Sequence, residues 1–78
     1  MIKTELQANI GKCIRTYRER KGLSRKEFAR KAHLSWQTVK DYENGKAVLE
    51  LGELLDTWDA MGRGPEDLIA DCLRMQGD

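Results

Sequence analysis

Residues able to carry covalent or metal chemistry are few in this chain of 78 residues: two cysteines, Cys13 and Cys72, and one histidine, His33. The cysteines form no CxxC pair and no histidine cluster accompanies them, so metal-ligand spacing is missing. On apolar helix faces in a reducing cytoplasm both read as small buried hydrophobes rather than a disulfide or a metal site. There is no Ser/His or Cys/His constellation, no paired carboxylates set in an apolar pocket and no phosphate-cradling glycine loop, which argues against an enzyme and implies no cofactor. The remaining chemistry is electrostatic. Between Lys12 and Lys46 eleven Lys/Arg face four Asp/Glu, a net of +7, whereas Ala47–Asp78 carries two Arg and eight Asp/Glu, a net of −6. The total of +1 conceals a basic half suited to a polyanion and an acidic half that avoids one, unless two ordinary solvated surfaces happen to segregate.

The elements that must position these charges are helical. Leu6, Ile10, Cys13, Ile14 and Tyr17 fall on one stripe of a first helix from about Thr4 to Lys21, ended by Gly22. Ser24 with Glu27 makes a capping box for a short second helix, about Arg25 to Ala32, with Phe28, Ala29 and Ala32 inward. A turn at His33-Leu34 follows. Ser35 caps a third helix, about Trp36 to Glu43, with Val39 and Tyr42 inward and Asn44-Gly45 as its stop. A fourth helix, near Leu49 to Met61, places Leu51, Leu54, Leu55 and Trp58 on one face, and a fifth runs from about Pro65 to Met75. No segment alternates with period two, so the expected fold is all-α, one compact domain over residues 1–78. No apolar run is long enough to span a membrane and the N-terminus lacks the apolar core of a signal peptide, so the expected location is the cytoplasm.

Two short helices joined by a tight turn, with a small residue, Ala29, where they would touch, match a helix-turn-helix over about residues 24–44. The major groove, about 12 Å wide, admits one helix, and its partner must cross closely behind it. The run Gly22-Leu23-Ser24-Arg25-Lys26-Glu27-Phe28-Ala29, then Leu34-Ser35-Trp36-Gln37-Thr38-Val39, then Tyr42-Glu43-Asn44-Gly45-Lys46 resembles the Cro/cI repressor-type (XRE-family) helix-turn-helix. Met61-Gly62 followed by Pro65-Glu66-Asp67-Leu68 resembles the usual ending of that family. The likeness covers roughly residues 8 to 70 and implies a five-helix bundle of the lambda-repressor-like type with the helix-turn-helix at helices 2 and 3.

The resemblance implies roles by position. Trp36, Gln37, Lys40 and Asp41 fall where a recognition helix reaches base edges. Gln37 suits adenine, Asp41 can accept from the cytosine amino group, and Lys40 can donate to guanine or phosphate. Arg25 stands where the family usually has a phosphate-gripping glutamine, and Ser35, Thr38, Asn44 and Lys46 are further candidates for phosphate contacts. An architectural ion pair is implied between Arg18 and Glu43. The sequence departs from the pattern at three places. His33 replaces the usual turn glycine, and reads as a turn residue rather than a catalytic or metal group. Trp36 suits a thymine methyl, a protein partner or local packing. Asp41 is either a cytosine reader or a sign that the helix does not enter the groove deeply.

A single helix reads only a few base pairs, so a homodimer on a near-palindromic operator is expected. Leu68, Ile69, Cys72 and Leu73 are candidates for its interface, the alternative being that Leu68 and Cys72 finish the core. The expected function is a sequence-specific, repressor-like regulator of double-stranded DNA. The competing reading is an antitoxin or anti-regulator that holds a basic protein partner through Glu50, Glu53, Asp56, Asp59, Glu66, Asp67 and Asp71.

Overall fold

The computed structural model describes residues 3–48, 50–68 and 70–71. Leu49, Ile69, Cys72, Leu73 and Met75, which entered the expectations above, lie outside the described residues. Helices α1 (Lys3–Arg20), α2 (Arg25–Ala32), α3 (Trp36–Glu43) and α4 (Leu51–Ala60) follow in order, and a fifth, α5, is helical at 65–68 and 70–71. No strand occurs among the described residues. The all-α, five-helix fold is the one the sequence predicts, and the bounds of α2 and α3 coincide with those read from it.

Local chemistry explains these bounds. Ser24 accepts from the Glu27 amide at 3.1 Å, and Glu27 accepts from the Ser24 amide at 2.7 Å, closing the expected capping box. The Ser24 backbone amide first, and the Ser24 hydroxyl second, hold the Glu27 carboxyl below its ordinary value. Ser35 caps α3 by accepting from the Thr38 amide at 3.1 Å. Glu50 caps α4 through both carboxylate oxygens, which accept from Gly52 and Glu53 amides at 2.9 Å each. All four described helix ends close in the same way, with the residue after a left-handed one donating back to a carbonyl five residues earlier: Leu23 to Arg18, Leu34 to Ala29, Lys46 to Asp41 and Arg63 to Trp58, at 2.8–2.9 Å. Three of the left-handed residues are Gly22, Gly45 and Gly62; the fourth is His33, at φ 59° and ψ 37°. The turn of the helix-turn-helix therefore keeps its geometry without glycine.

The core is built from Ile10 and Ile14 of α1, Phe28, Ala29 and Ala32 of α2, Val39 and Tyr42 of α3, Leu54 and Trp58 of α4, with Ala47, Met61 and Leu68. Leu6, Cys13, Tyr17 and Leu55 pack at its edge, half-buried. One inward residue expected from the sequence faces out: Leu51 is 66% exposed. Glu50 caps the helix, so Leu51 opens the first turn and the buried stripe begins one turn later, at Leu54, Thr57, Trp58 and Met61. Thr57 enters it as a fully buried polar residue because its hydroxyl donates to the Glu53 carbonyl at 2.7 Å.

Gly11, in the middle of α1, sets how closely α3 can lie. A Cβ there would collide with the Tyr42 carbonyl oxygen and come within 3.1 Å of Glu43 Cα. α1 and α3 touch backbone to backbone at that point, which brings the end of α3 under the arginines of α1.

Candidate nucleic-acid interface

The packing of Val39 and Tyr42, both at most 1% exposed, fixes which face of α3 is outward. The Tyr42 hydroxyl donates to Glu53 at 2.6 Å; burial first, and that bond second, push the phenol above its ordinary value, so it stays a donor and ties α3 to α4. On the opposite face stand the four residues expected to read bases. Trp36 and Gln37 are exposed, and Lys40 and Asp41, one turn further, are half-exposed. They form two i, i+4 pairs: the Lys40 ammonium lies 5.9 Å from the Trp36 ring centroid, and the Gln37 amide nitrogen donates to Asp41 Oδ1 at 3.2 Å. Neither pair was anticipated from the sequence, although the spacing of four was there to see. Trp36 keeps 46% of its surface exposed despite the contact with Lys40.

Around this face lie the side chains named for phosphate contact. The Ser35 and Thr38 hydroxyls are 2.9 Å apart, and one donates to the other while Ser35 also caps the helix. Two hydroxyls sharing one such bond retain one hydrogen to donate outward. Asn44 and Lys46 are exposed just past the end of α3. Lys12, Arg15, Arg20, Lys21, Lys26, Arg30 and Lys31 are exposed on α1, α2 and the turn between them.

Beneath the same region is the ion pair that the resemblance implied, enlarged to four members. Arg18 grips Glu43 with both arms of its fork, Nε to Oε2 at 2.7 Å and Nη2 to Oε1 at 3.1 Å. It also donates to the Leu23 carbonyl at 3.0 Å. Arg25 Nε reaches Glu43 Oε1 at 3.2 Å and Arg15 Nε at 3.4 Å. The Glu43 side chain has no exposed surface, whereas those of Arg25 and Arg15 keep 34% and 45%. Burial pushes the Glu43 carboxyl up, but the hydrogen bonds and charges of Arg18 and Arg25 outweigh it and hold the group below its ordinary value. Arg18 in turn is raised, first by its bond to Glu43. One carboxylate thus joins α1, α2 and α3, and three cations around one anion leave positive charge at the surface. Arg25 uses Nε inward, and its side chain keeps 34% of its surface exposed.

The acidic half is arranged differently. Trp58 Nε1 donates to Asp71 Oδ2 at 3.0 Å, and Arg63 reaches Asp71 through Nε at 3.2 Å and Nη2 at 2.8 Å. Asp67 accepts from the Gly64 amide at 2.9 Å, capping α5. With Glu50 and Glu53 already described, four of the seven carboxylates considered for a basic partner hold the fold, while Asp56, Asp59 and Glu66 are exposed. Leu68 is buried in the core.

A sequence profile described as a helix-turn-helix domain matches residues 9–71, most of the chain. The chain belongs to this family. Helix-turn-helix domains are DNA-binding modules, and here the two helices of the motif are α2 and α3. Two solved structures of the clp gene regulator ClgR from Corynebacterium glutamicum share the fold. One superposes with a TM-score of 0.74 at 22% identity, covering 87% of each chain. The other gives 0.78 at 21% identity, covering 92% of this chain and 77% of that one. No curated protein matches the chain. Among the described residues no helix is long and apolar enough to cross a membrane.

Proposed function

We propose that this helix-turn-helix domain is a sequence-specific regulator of transcription that binds a near-palindromic operator in double-stranded DNA as a homodimer and acts as a repressor. The observation that carries this reading is the outer face of α3. Four polar or aromatic side chains able to address base edges, Trp36 and Gln37 exposed and Lys40 and Asp41 half-exposed, stand on a helix whose other face is locked into the core. Exposed cations on α1 and α2, and Lys46 beyond α3, supply the salt-dependent attraction to phosphate. Gln37 reads adenine, Asp41 takes a cytosine amino hydrogen, Lys40 donates to guanine or phosphate, and Trp36 lies on a thymine methyl. Arg25, Ser35, Thr38, Asn44 and Lys46 hold backbone phosphates and set the register. Two such helices about 34–36 Å apart, one turn of the duplex, read two half-sites. A bound dimer blocks polymerase by occupying its site.

Selection of binding sites from a random duplex pool at two salt concentrations tests this, with Gln37→Ala as control. The expected outcome is a two-fold-related motif whose binding weakens with salt and whose sequence changes in the variant. No enrichment at either salt overturns the reading.

A further inference from the structure

The outer face of α3 is already organised before any duplex arrives. Gln37 and Asp41 are one turn apart, and the amide nitrogen of Gln37 donates to Asp41 Oδ1 at 3.2 Å. The neighbouring cation, Lys40, is drawn toward the Trp36 ring, 5.9 Å from its centroid, on the adjacent row of the helix. Asp41 is therefore left to act on Gln37.

A primary amide offers two N–H donors and one carbonyl acceptor. With one hydrogen held by Asp41, Gln37 has one donor and one acceptor left to present outward. The alternative orientation, turned by half a rotation, would place the amide oxygen against the carboxylate oxygen, two acceptors in contact, so the charge on Asp41 fixes which way the amide points. In the major groove adenine presents an acceptor, N7, beside a donor, the N6 amino group; guanine presents two acceptors, N7 and O6. An amide with a free NH₂ can turn both hydrogens toward the guanine pair. An amide tethered by Asp41 cannot, and its remaining acceptor faces guanine O6. The second carboxylate oxygen adds repulsion against that edge.

We propose that Asp41 is a positioning residue for base readout: by tethering the Gln37 amide it makes this helix choose adenine and reject guanine at the base pair Gln37 faces. The inference rests on the DNA-binding reading above and assigns part of its specificity to a residue that need not touch that base. Asp41 Oδ2 stays available for the amino group of a neighbouring cytosine, so the two roles of the carboxylate are compatible.

The test uses the full chain and the duplex it enriches most strongly from the random pool. The base pair whose preference Gln37→Ala erases is replaced in turn by the other three, and dissociation constants are measured for the wild type, Asp41→Ala and Asp41→Asn. Asp41→Ala is expected to lower the preference for adenine over guanine at that pair by about fivefold or more, the low end of what a bidentate base contact supplies. Asp41→Asn, whose side-chain amide can present a donor as readily as an acceptor and so no longer fixes the orientation, is expected to lose part of the preference, between the wild type and Asp41→Ala. An adenine preference unchanged in Asp41→Ala, with affinity shifted equally for all four base pairs, overturns the proposal and leaves Asp41 as a charge near phosphates. A wild-type chain that enriches no duplex fails the DNA-binding reading itself and removes this inference with it, a result separable from failure at Asp41 alone.

Discussion

The basic and acidic halves differ less in how much charge they carry than in where they send it. From Lys12 to Lys46 the cations mostly face solvent, and three of the four acids among them are held by hydrogen bonds within the domain: Glu27 closes a cap, Asp41 holds Gln37, and Glu43 is buried under three arginines, while Glu19 is exposed. Beyond Ala47 the roles reverse, with carboxylates as scaffold: Glu50 caps α4, Glu53 holds Tyr42, Asp67 caps α5, and Asp71 ties Trp58 to Arg63. Segregated net charge would suggest two surfaces for two partners. The hydrogen bonds add that the cationic surface faces outward, while in the acidic half Glu50, Glu53, Asp67 and Asp71 hold the fold and Asp56, Asp59 and Glu66 face out. A carboxylate with fixed donors on both oxygens has less to offer a partner than a lysine on a flexible stem.

Removing the single acid buried in the basic half is the severest way to break this contrast. Glu43→Gln leaves three guanidinium groups facing one another without a counter-charge, and loss of one partner from a buried pair costs about 3–5 kcal/mol. A domain of this size has only about 4–12 kcal/mol in total, so urea denaturation is expected to show a large fall in midpoint. The acid limb checks the mechanism. Because the folded-state pKa of Glu43 lies below the ordinary 4.5, its contribution is present above that value and is lost as pH falls through the depressed one. The wild type should lose stability over that window and the Gln variant should be flatter there; parallel curves would show that Glu43 is not the group responsible.

Asp71→Asn probes the opposite end with a smaller effect. It weakens the charged bonds to Arg63 and the bond to the buried Trp58 indole, which together are expected to cost about 1–3 kcal/mol. Affinity for DNA and its salt dependence should stay as in the wild type once the variant is fully folded. A changed salt slope would mean that the acidic half shapes binding directly, and the contrast between halves would fail.

Much of this was legible beforehand, for stated physical reasons. The caps at Ser24 and Ser35 and the stop at Gly45 are local signals that set both starts and the end of α3, Gly22 ends α1 in the same way, and the turn at His33-Leu34 ends α2. The Arg18–Glu43 pair could be named only through the likeness to a family, since nothing in the spacing of 25 residues predicts it. Its enlargement by Arg15 and Arg25 depends on three helices meeting, a tertiary fact. The inward face of α4 departs from the hydrophobic pattern at Leu51 because hydrophobicity marks Leu and passes over Thr57; a threonine enters a core once its hydroxyl bonds the preceding turn. Gly11 carries no local signal for a related reason. A glycine inside a helix signals close approach only when the approaching backbone, here at Tyr42 and Glu43, is known.

The gentlest test leaves the fold alone and asks only about the outward cations. Lys46 is exposed immediately after α3 and uses its backbone, not its side chain, to close the helix, its amide donating to the Asp41 carbonyl at 2.8 Å. Lys46→Ala should therefore stay within about 0.5 kcal/mol of wild-type stability, as surface substitutions do. If its ammonium neutralises one phosphate in the complex, the slope of log affinity against log salt should become shallower by about 0.9. The loss should be the same for every duplex sequence, because a phosphate contact carries no base information. A loss confined to some sequences would place Lys46 at a base edge. An unchanged slope would put it outside the interface and move the boundary of the cationic surface back toward α1 and α2.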